Sequence, residues 1–336
     1  MLKLESRKPT DVSPVERLHA LVASDMAATD KLIHERMGSG VTLIPDLSRH
    51  LIDSGGKRLR PMLTLAAAQL GGYTGTGHVR LAAAVEFIHT ATLLHDDVVD
   101  ESALRRGKVS ANIVWGNKPS VLVGDFLFSR AFQLMVETGN LTVLDILAGA
   151  SAIIAEGEVM QLKSANNLGV TEEDYLRVVS AKTAALFAAA AESGAVVSGQ
   201  SPERIAAMRD YGQNLGIAFQ LVDDALDYSG RQALMGKSVG DDFREAKVTL
   251  PIILAYARST EATRKFWQRA IETGPQGEAD LDRAITLVEE TGAISDTMVR
   301  ARRYADLARE ALAPLPAGEI RSVLGDIADF CVERAY

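Results

Sequence analysis

The sequence predicts an all-α protein, and three observations carry that reading. Hydrophobic residues make up 47% of the 336-residue chain and charged residues 24%, the balance of a globular domain with a sizeable core. Aromatics amount to only 5% and prolines to 10, leaving an apolar content dominated by Ala, Leu and Val, which favours packed helices over a twisted sheet. Apolar residues recur three and four apart, as in Leu81, Val85, Ile88 and Thr92, or in Val178, Ala181, Ala185 and Ala189. About ten to twelve helices are expected.

The elements follow from the punctuation. Residues 1–14 are polar, contain Pro9 and Pro14, and read as a flexible lead-in to one domain over residues 15–336. Gly, Pro, Asn and Ser interrupt the helical pattern at Gly38–Pro45, Ser54–Pro61, Gly71–Gly77, Arg105–Ser120, Asn166–Thr171 and Ser198–Pro202. They do so again at Tyr228–Asp242, Glu272–Asp280 and Ala313–Glu319, and no break is long enough to divide two domains. Thr171, followed by Glu172, Glu173 and Asp174, has the form of an N-cap with an acidic first turn, and Ser201-Pro202-Glu203 has it too.

Composition also narrows the function. A net charge of −8 without a Lys/Arg block disfavours nucleic acid or an anionic membrane as the main partner, so an anionic ligand has to be captured locally. The most apolar stretch, Leu141 to Ala155, falls short of the ~20 residues that cross a bilayer and contains Asp145, so no transmembrane segment is expected. Cys331 is the only cysteine, excluding an internal disulfide and a thiolate metal cluster. With no cleavable hydrophobic leader over Met1 to Asp11, the expected location is the cytoplasm.

Two stretches carry the chemistry. "LLHDDVVD" (Leu93 to Asp100) and "QLVDDALD" (Gln220 to Asp227) both place Asp-Asp-x-x-Asp after an apolar helical run. On a helix Asp96 and Asp100 share a face that Asp97 flanks, and Asp223, Asp227 and Asp224 repeat the arrangement. Three like charges held against a core repel unless cations sit among them. Carboxylate oxygens at this density suit Mg²⁺, which keeps several waters and shares its octahedron with substrate phosphates. One such motif alone reads equally as a solvated helix end; two on apolar helices favour metal. Neither stretch has the loop and glycine of an EF-hand.

The cations are spread along the chain: Lys57, Arg58 and Arg60 in "GGKRLRP", Arg105 and Arg106 after the first aspartates, Lys182 in "SAKTAALF", and Lys237 and Lys247 after the second cluster. Each alone reads as a surface charge; Lys182 does so least, because Ala181, Ala184, Ala185, Leu186 and Phe187 around it are apolar. "GKSVG" (Gly236 to Gly240) fits a nucleophile elbow at Ser238, but no strand is evident before it.

In order, "GGKRLRP", "HTATLLHDDVVD", "RRG", "GDFLFSRAF", "KTA", "FQLVDDALD" and "GKSVGDDFREAKVTLP" resemble the trans-isoprenyl diphosphate synthases, the polyprenyl synthetase family, and its long-chain members in particular. The resemblance runs from about Gly55 to Pro251. It implies an all-helical fold whose two aspartate-bearing helices face each other across a deep cavity, in a homodimer. It further implies that Asp96, Asp100 and Asp223 ligate two or three Mg²⁺ ions bridging to an allylic diphosphate. Asp97, Asp224 and Asp227 complete the catalytic clusters. Arg105, Lys182, Thr183, Gln220 and Lys237 would hold the allylic diphosphate, with Lys247 a further candidate, and Lys57, Arg60, His89 and Arg106 would hold isopentenyl diphosphate. His95 reads as structural.

The chemistry implied is ionisation of the allylic C–O bond, attack by the isopentenyl double bond and loss of a proton. In the family, aromatics four or five residues before the first aspartate block the growing chain; here those positions are Thr92 and Ala91, with Ile88 a turn below. The expected product is therefore long, about forty to fifty carbons by analogy, the length of quinone side chains. Two departures stand out: Ala246 replaces a Gly common in the family, and the tail "CVERAY" is less basic than tails that close the site. The rivals are a shorter-chain synthase, a terpene cyclase and a non-catalytic subunit of a heteromeric synthase.

Overall fold

Helix follows helix along the chain, as the apolar spacing requires. The computed structural model describes residues 12–52, 55–105, 107–229, 240–273 and 277–333. In order the helices are α1 Pro14–Leu21, α2 Ala23–Arg36, α3 Leu43–Ile52, α4 Leu59–Leu70, α5 Gly77–Val99, α6 Ala111–Trp115, α7 Asn117–Val136, α8 Leu141–Ser164 and α9 Glu172–Val179. They continue as α10 Ala185–Val197, α11 Pro202–Asp227, α12 Asp241–Arg244, α13 Leu250–Ala257, α14 Glu261–Trp267, α15 Glu278–Glu290, α16 Ala293–Ala311 and α17 Glu319–Glu333.

The all-α expectation holds. Segments outnumber the ten to twelve expected because short helices such as α6 and α12 are bounded by residues with positive φ, Gly116 after α6 and Gly240 and Ala246 around α12. Among the described residues the only strands are Leu104–Arg105 and Lys108–Val109, an antiparallel pair too short to leave an alternating pattern in the sequence.

The caps form where the residue types place them. Ser13 and Glu16 make a capping box with Pro14 in the first turn, Thr171 and Asp174 make another, and Ser201 caps α11 ahead of Pro202. Helix α10, rich in alanine and buried along most of its length, stands between the two core clusters. One core cluster lies between it and α4, α11, α16 and α17, the other between it and α5, α7 and α8.

Small residues let these helices meet closely. A Cβ built on Gly216 of α11 would lie 2.6 Å from Ala184 Cα, so only glycine permits this approach of α11 to the start of α10. Likewise Gly157 of α8 packs against Lys182 N, where a Cβ would come within 2.9 Å. No described helix is long and apolar enough to cross a membrane.

Candidate active site

Burial divides the six aspartates in two. Asp97, Asp224 and Asp227 are 0%, 3% and 7% exposed, whereas Asp96, Asp100 and Asp223 keep part of their surface accessible. Each buried carboxylate has a protein partner. Asp97 Oδ1 accepts from Arg105 Nε at 2.7 Å, which fastens the two-stranded turn onto the end of α5. Asp224 accepts from Tyr175 Oη at 2.5 Å and from Gln220 Nε2 at 2.7 Å, and Gln220 Oε1 in turn accepts from Thr183 Oγ1 at 2.9 Å. The Asp227 carboxylate accepts from the backbone N–H groups of Asp241 and Asp242 at 3.2 and 3.1 Å, holding the first turn of α12.

Two lysines stand between the clusters. Lys182 and Thr183 lie in a π-helical turn, Ser180–Ala184, inserted between α9 and α10. Such turns widen a helix locally and recur at functional sites. The contact at Gly157 brings the next residue of α8, Glu158, to 2.9 Å from Lys182 Nζ. Lys247 follows α12 and reaches Asp100 Oδ2 at 2.8 Å. It is set by Ala246, whose φ of 51° is left-handed backbone that a Gly adopts without strain. A cavity of about 130 Å³ opens here, lined by Lys182, Thr183, Gln220, Asp224, Asp242 and Lys247 together with Gln161, Ser164 and Tyr175.

The site holds a high density of negative charge. Burial pushes the Asp96 carboxyl up to about 7 against the pull of Lys182, with Glu158 and Asp100 adding to the rise. Burial likewise raises Asp224 to about 7, against its hydrogen bonds from Tyr175 and Gln220, and Asp227 to about 6, against the Asp242 amide. Asp242 is pushed well above the carboxylate range by burial and by Asp224 and Asp227. Burial disfavours the Lys247 ammonium, but Asp100 and Glu245 outweigh it and raise its pKa. The partly exposed carboxylates of Asp96, Asp100 and Asp223 form a donor set that fits a hard divalent cation. Among the described residues no three carboxylate, His or Cys groups already converge on one point, so such an ion would draw the rest of its shell from water and phosphate oxygens.

A second group of cations lies beside this one. Arg60 Nη1 is 3.3 Å from His89 Nε2, and the Arg60 guanidinium stacks 4.2 Å over the Phe187 ring. Phe187 packs 5.8 Å from Phe219, the neighbour of Gln220 on α11, so an aromatic pair links the two cation groups. Lys57 is exposed, with Phe330 of α17 beneath its Nζ at 5.8 Å. His95 is structural: its ring covers Gly124 on α7 and Nε2 lies 3.2 Å from Val121 O. Ile88 and Ala91 are wholly buried in the second core cluster and Thr92 is partly exposed. Arg106, Lys237 and Ser238 lie outside the described residues.

Sequence reasoning missed Glu158, Tyr175 and Asp242. An acidic residue directly after Gly157 in an apolar helix, and the Asp241-Asp242 pair after Gly240, were the signals for two of them; nothing in the sequence marked Tyr175.

A family model described as Polyprenyl synthetase matches residues 41–288. The chain belongs to the polyprenyl synthetase family. Its family makes it a prenyltransferase, as the motifs implied. The octaprenyl diphosphate synthase of Escherichia coli (strain K12) is 46% identical over 95% of this chain and 99% of its own. A solved decaprenyl diphosphate synthase from Rhodobacter capsulatus superimposes with a TM-score of 0.92 at 56% identity, over 96% of this chain and 100% of that one. A polyprenyl synthase from Caulobacter crescentus CB15, solved with calcium and isoprenyl diphosphate, gives 0.93 at 55% identity over 98% and 100%. These polyprenyl synthetases are long-chain enzymes where their names state a length, in line with the long-chain function expected from the motifs.

Proposed function

We propose that this polyprenyl synthetase adds isopentenyl diphosphate repeatedly, head to tail, to an allylic diphosphate, releasing an all-trans product of about forty to fifty carbons. The observation that carries this reading is the pair Lys182 and Lys247 on one cavity, Lys247 bonded to Asp100 and Lys182 acting on Asp96, with the cations Lys57 and Arg60 beyond the Phe187–Phe219 pair. The first group of cations suits a departing diphosphate and the second a non-departing one.

Asp96, Asp100 and Asp223 would hold the divalent ions, Mg²⁺ by the chemistry of the donors, because theirs are the aspartate carboxylates with surface to spare. When bound, the ions supply positive charge to the leaving diphosphate oxygens. Asp97, Asp224 and Asp227 orient their surroundings: Arg105, the Gln220–Thr183 pair and the start of α12. Lys182, Thr183, Gln220, Arg105 and Lys247 bind and neutralise the allylic diphosphate, with Arg105 keeping Asp97 as its second partner. Lys57, Arg60 and His89 place isopentenyl diphosphate with its double bond toward the ionised allyl group. The aromatic pair excludes water there, so the cation meets the double bond rather than a hydroxyl. The proton lost afterwards goes to the released diphosphate.

We also propose that two copies pair through α7 and α8. Leu122, Phe132 and Val136 on α7 and Leu141, Ile153, Val159 and Leu162 on α8 are exposed apolar side chains, more than isolated surface hydrophobes account for. Light scattering should give twice the chain mass.

The deciding experiment incubates the purified protein with Mg²⁺, farnesyl diphosphate and labelled isopentenyl diphosphate. Long linear polyprenyl diphosphates are expected. A cyclic hydrocarbon would instead point to a cyclase, and no elongation without an added partner to a regulatory subunit.

A further inference from the structure

Arg58 lies between two residues assigned to the isopentenyl diphosphate subsite, yet its side chain turns away from them. Its φ of 48° places a non-glycine residue in left-handed backbone immediately before α4, and the preceding Gly55 and Gly56 have φ values of 88° and 145°. A β-carbon disfavours that conformation, so something must hold it. The guanidinium supplies the hold: Nη1 donates to Glu86 Oε1 on α5 and Nη2 donates to Ile52 O at 3.2 Å, at the end of α3. The side chains are 19% exposed for Arg58 and 7% for Glu86. Glu86 is buried within an otherwise apolar stretch of α5, where an unpaired carboxylate would be costly.

Glu86 stands three residues before His89, hence on the same face of α5, and His89 meets Arg60. The loop therefore rests on α5 at two successive points, Arg58 on Glu86 and Arg60 on His89. With the backbone between them fixed, Lys57 lies over Phe330 while Arg60 lies over Phe187.

We propose that the buried Arg58–Glu86 pair is a positioning device that sets the spacing of Lys57 and Arg60 for a single diphosphate. Neither residue touches substrate; they act through the backbone of residues 55–60. The proposal rests on the reading of Lys57 and Arg60 as the isopentenyl diphosphate subsite.

Glu86→Gln removes the charge at constant size, and Arg58→Gly keeps the left-handed backbone while deleting the guanidinium. In the full-length protein each is expected to raise KM for isopentenyl diphosphate about tenfold, leaving kcat and KM for farnesyl diphosphate within about twofold. The double variant is expected to match either single one, since both remove one interaction. Glu86→Asp, which retains the charge, should recover at least half of the loss. A Lys57→Ala control separates the two levels. If it leaves KM for isopentenyl diphosphate unchanged, the subsite reading fails. If it raises that KM while Glu86→Gln and Arg58→Gly do not, or while they change both KM values and kcat alike, the positioning pair is refuted. Should Glu86→Gln fail to fold, Arg58→Gly alone decides by the same split.

Discussion

Lys247 Nζ lies 2.8 Å from Asp100 Oδ2, tying the segment after α12 to the end of α5 across 147 residues of sequence. Glu245 shares the same ammonium at 2.5 Å. Lys247 is thus one of the cations that offset the first aspartate cluster, on Asp100 as Arg105 is on Asp97. Lys247→Ala leaves Asp100 and Glu245 facing each other in a partly desolvated site. Breaking such a pair should cost on the order of 1–3 kcal/mol, less than the loss of a fully buried partner because Asp100 retains some solvent. The metal-free melting temperature should fall, and Mg²⁺ should restore part of it while elongation stays at least tenfold below wild type. An unaltered metal-free melting curve would contradict the assignment.

The division of the aspartates by burial predicts two kinds of variant. Asp96→Asn, Asp100→Asn or Asp223→Asn should lower kcat by about two to three orders of magnitude, as loss of a group stabilising transition-state charge does, with little effect on folding. Asp227→Asn keeps an oxygen for one of the two amides, of Asp241 or Asp242, and should lose less. Asp227→Ala removes that acceptor, and the loss of a helix cap costs about 1 kcal/mol. Steady-state rates with calorimetric titration of Mg²⁺ on all five variants would show the two classes, and equal losses in both would rule out the division.

The motifs were legible because their chemistry is local. Residues four apart on one helix share a face whatever the tertiary structure, so the two Asp-x-x-x-Asp pairs could be read directly. The same holds for the caps at Thr171 and Ser201, where side chain and backbone are near neighbours. What could not be read is which member of each cluster points inward. Asp97 is buried because the two-stranded turn folds back to give it Arg105, and Asp224 because α9 presents Tyr175. These partners come from other elements and leave no periodic trace. Glu158 is a similar case, since its meeting with Lys182 depends on the close approach of α8 at Gly157. Ala246 illustrates the opposite: its departure from a family glycine is visible in the sequence, and its left-handed φ shows what the glycine would have served.

The raised carboxyl pKa values fix a sign for the pH dependence. Asp96 and Asp224 at about 7 and Asp227 at about 6 all lie above their ordinary value of 3.8, so the folded metal-free protein binds these protons more tightly than the unfolded chain. Their contribution to stability is therefore greatest in acid and is lost as pH rises from about 4 through 7. A divalent ion competes with those protons and is favoured once they have left. The rise in melting temperature on adding Mg²⁺ should grow between pH 6 and 8, and elongation should decline below pH 7. Thermal melts with Mg²⁺ and with chelator at several pH values test this; a Mg²⁺ shift independent of pH would overturn it.

Product length should be set one helical turn before Asp96. Ala91 has no accessible surface and packs in the cluster that also holds Ile88, Leu127, Ala185 and Ala189, while Thr92 is partly exposed and its Oγ1 donates to His89 O at 2.9 Å. Beside Ile88 and Leu186, that cluster thus holds the small side chains Ala91 of α5 and Ala185 and Ala189 of α10, which give way to a growing chain more readily than aromatics do. Ala91→Tyr adds bulk there; since the site is already closed, overpacking should cost about 1–3 kcal/mol. Thr92→Phe has accessible space beside it and should strain the core less. Both should shorten the product and leave the first condensation intact, with Thr92→Phe closer to wild type in melting temperature. Reversed-phase chromatography of the dephosphorylated products distinguishes the outcomes. If both variants fold and still yield wild-type chain lengths, the chain grows along a different wall, and Ala91 is small only because α5 must pack closely there.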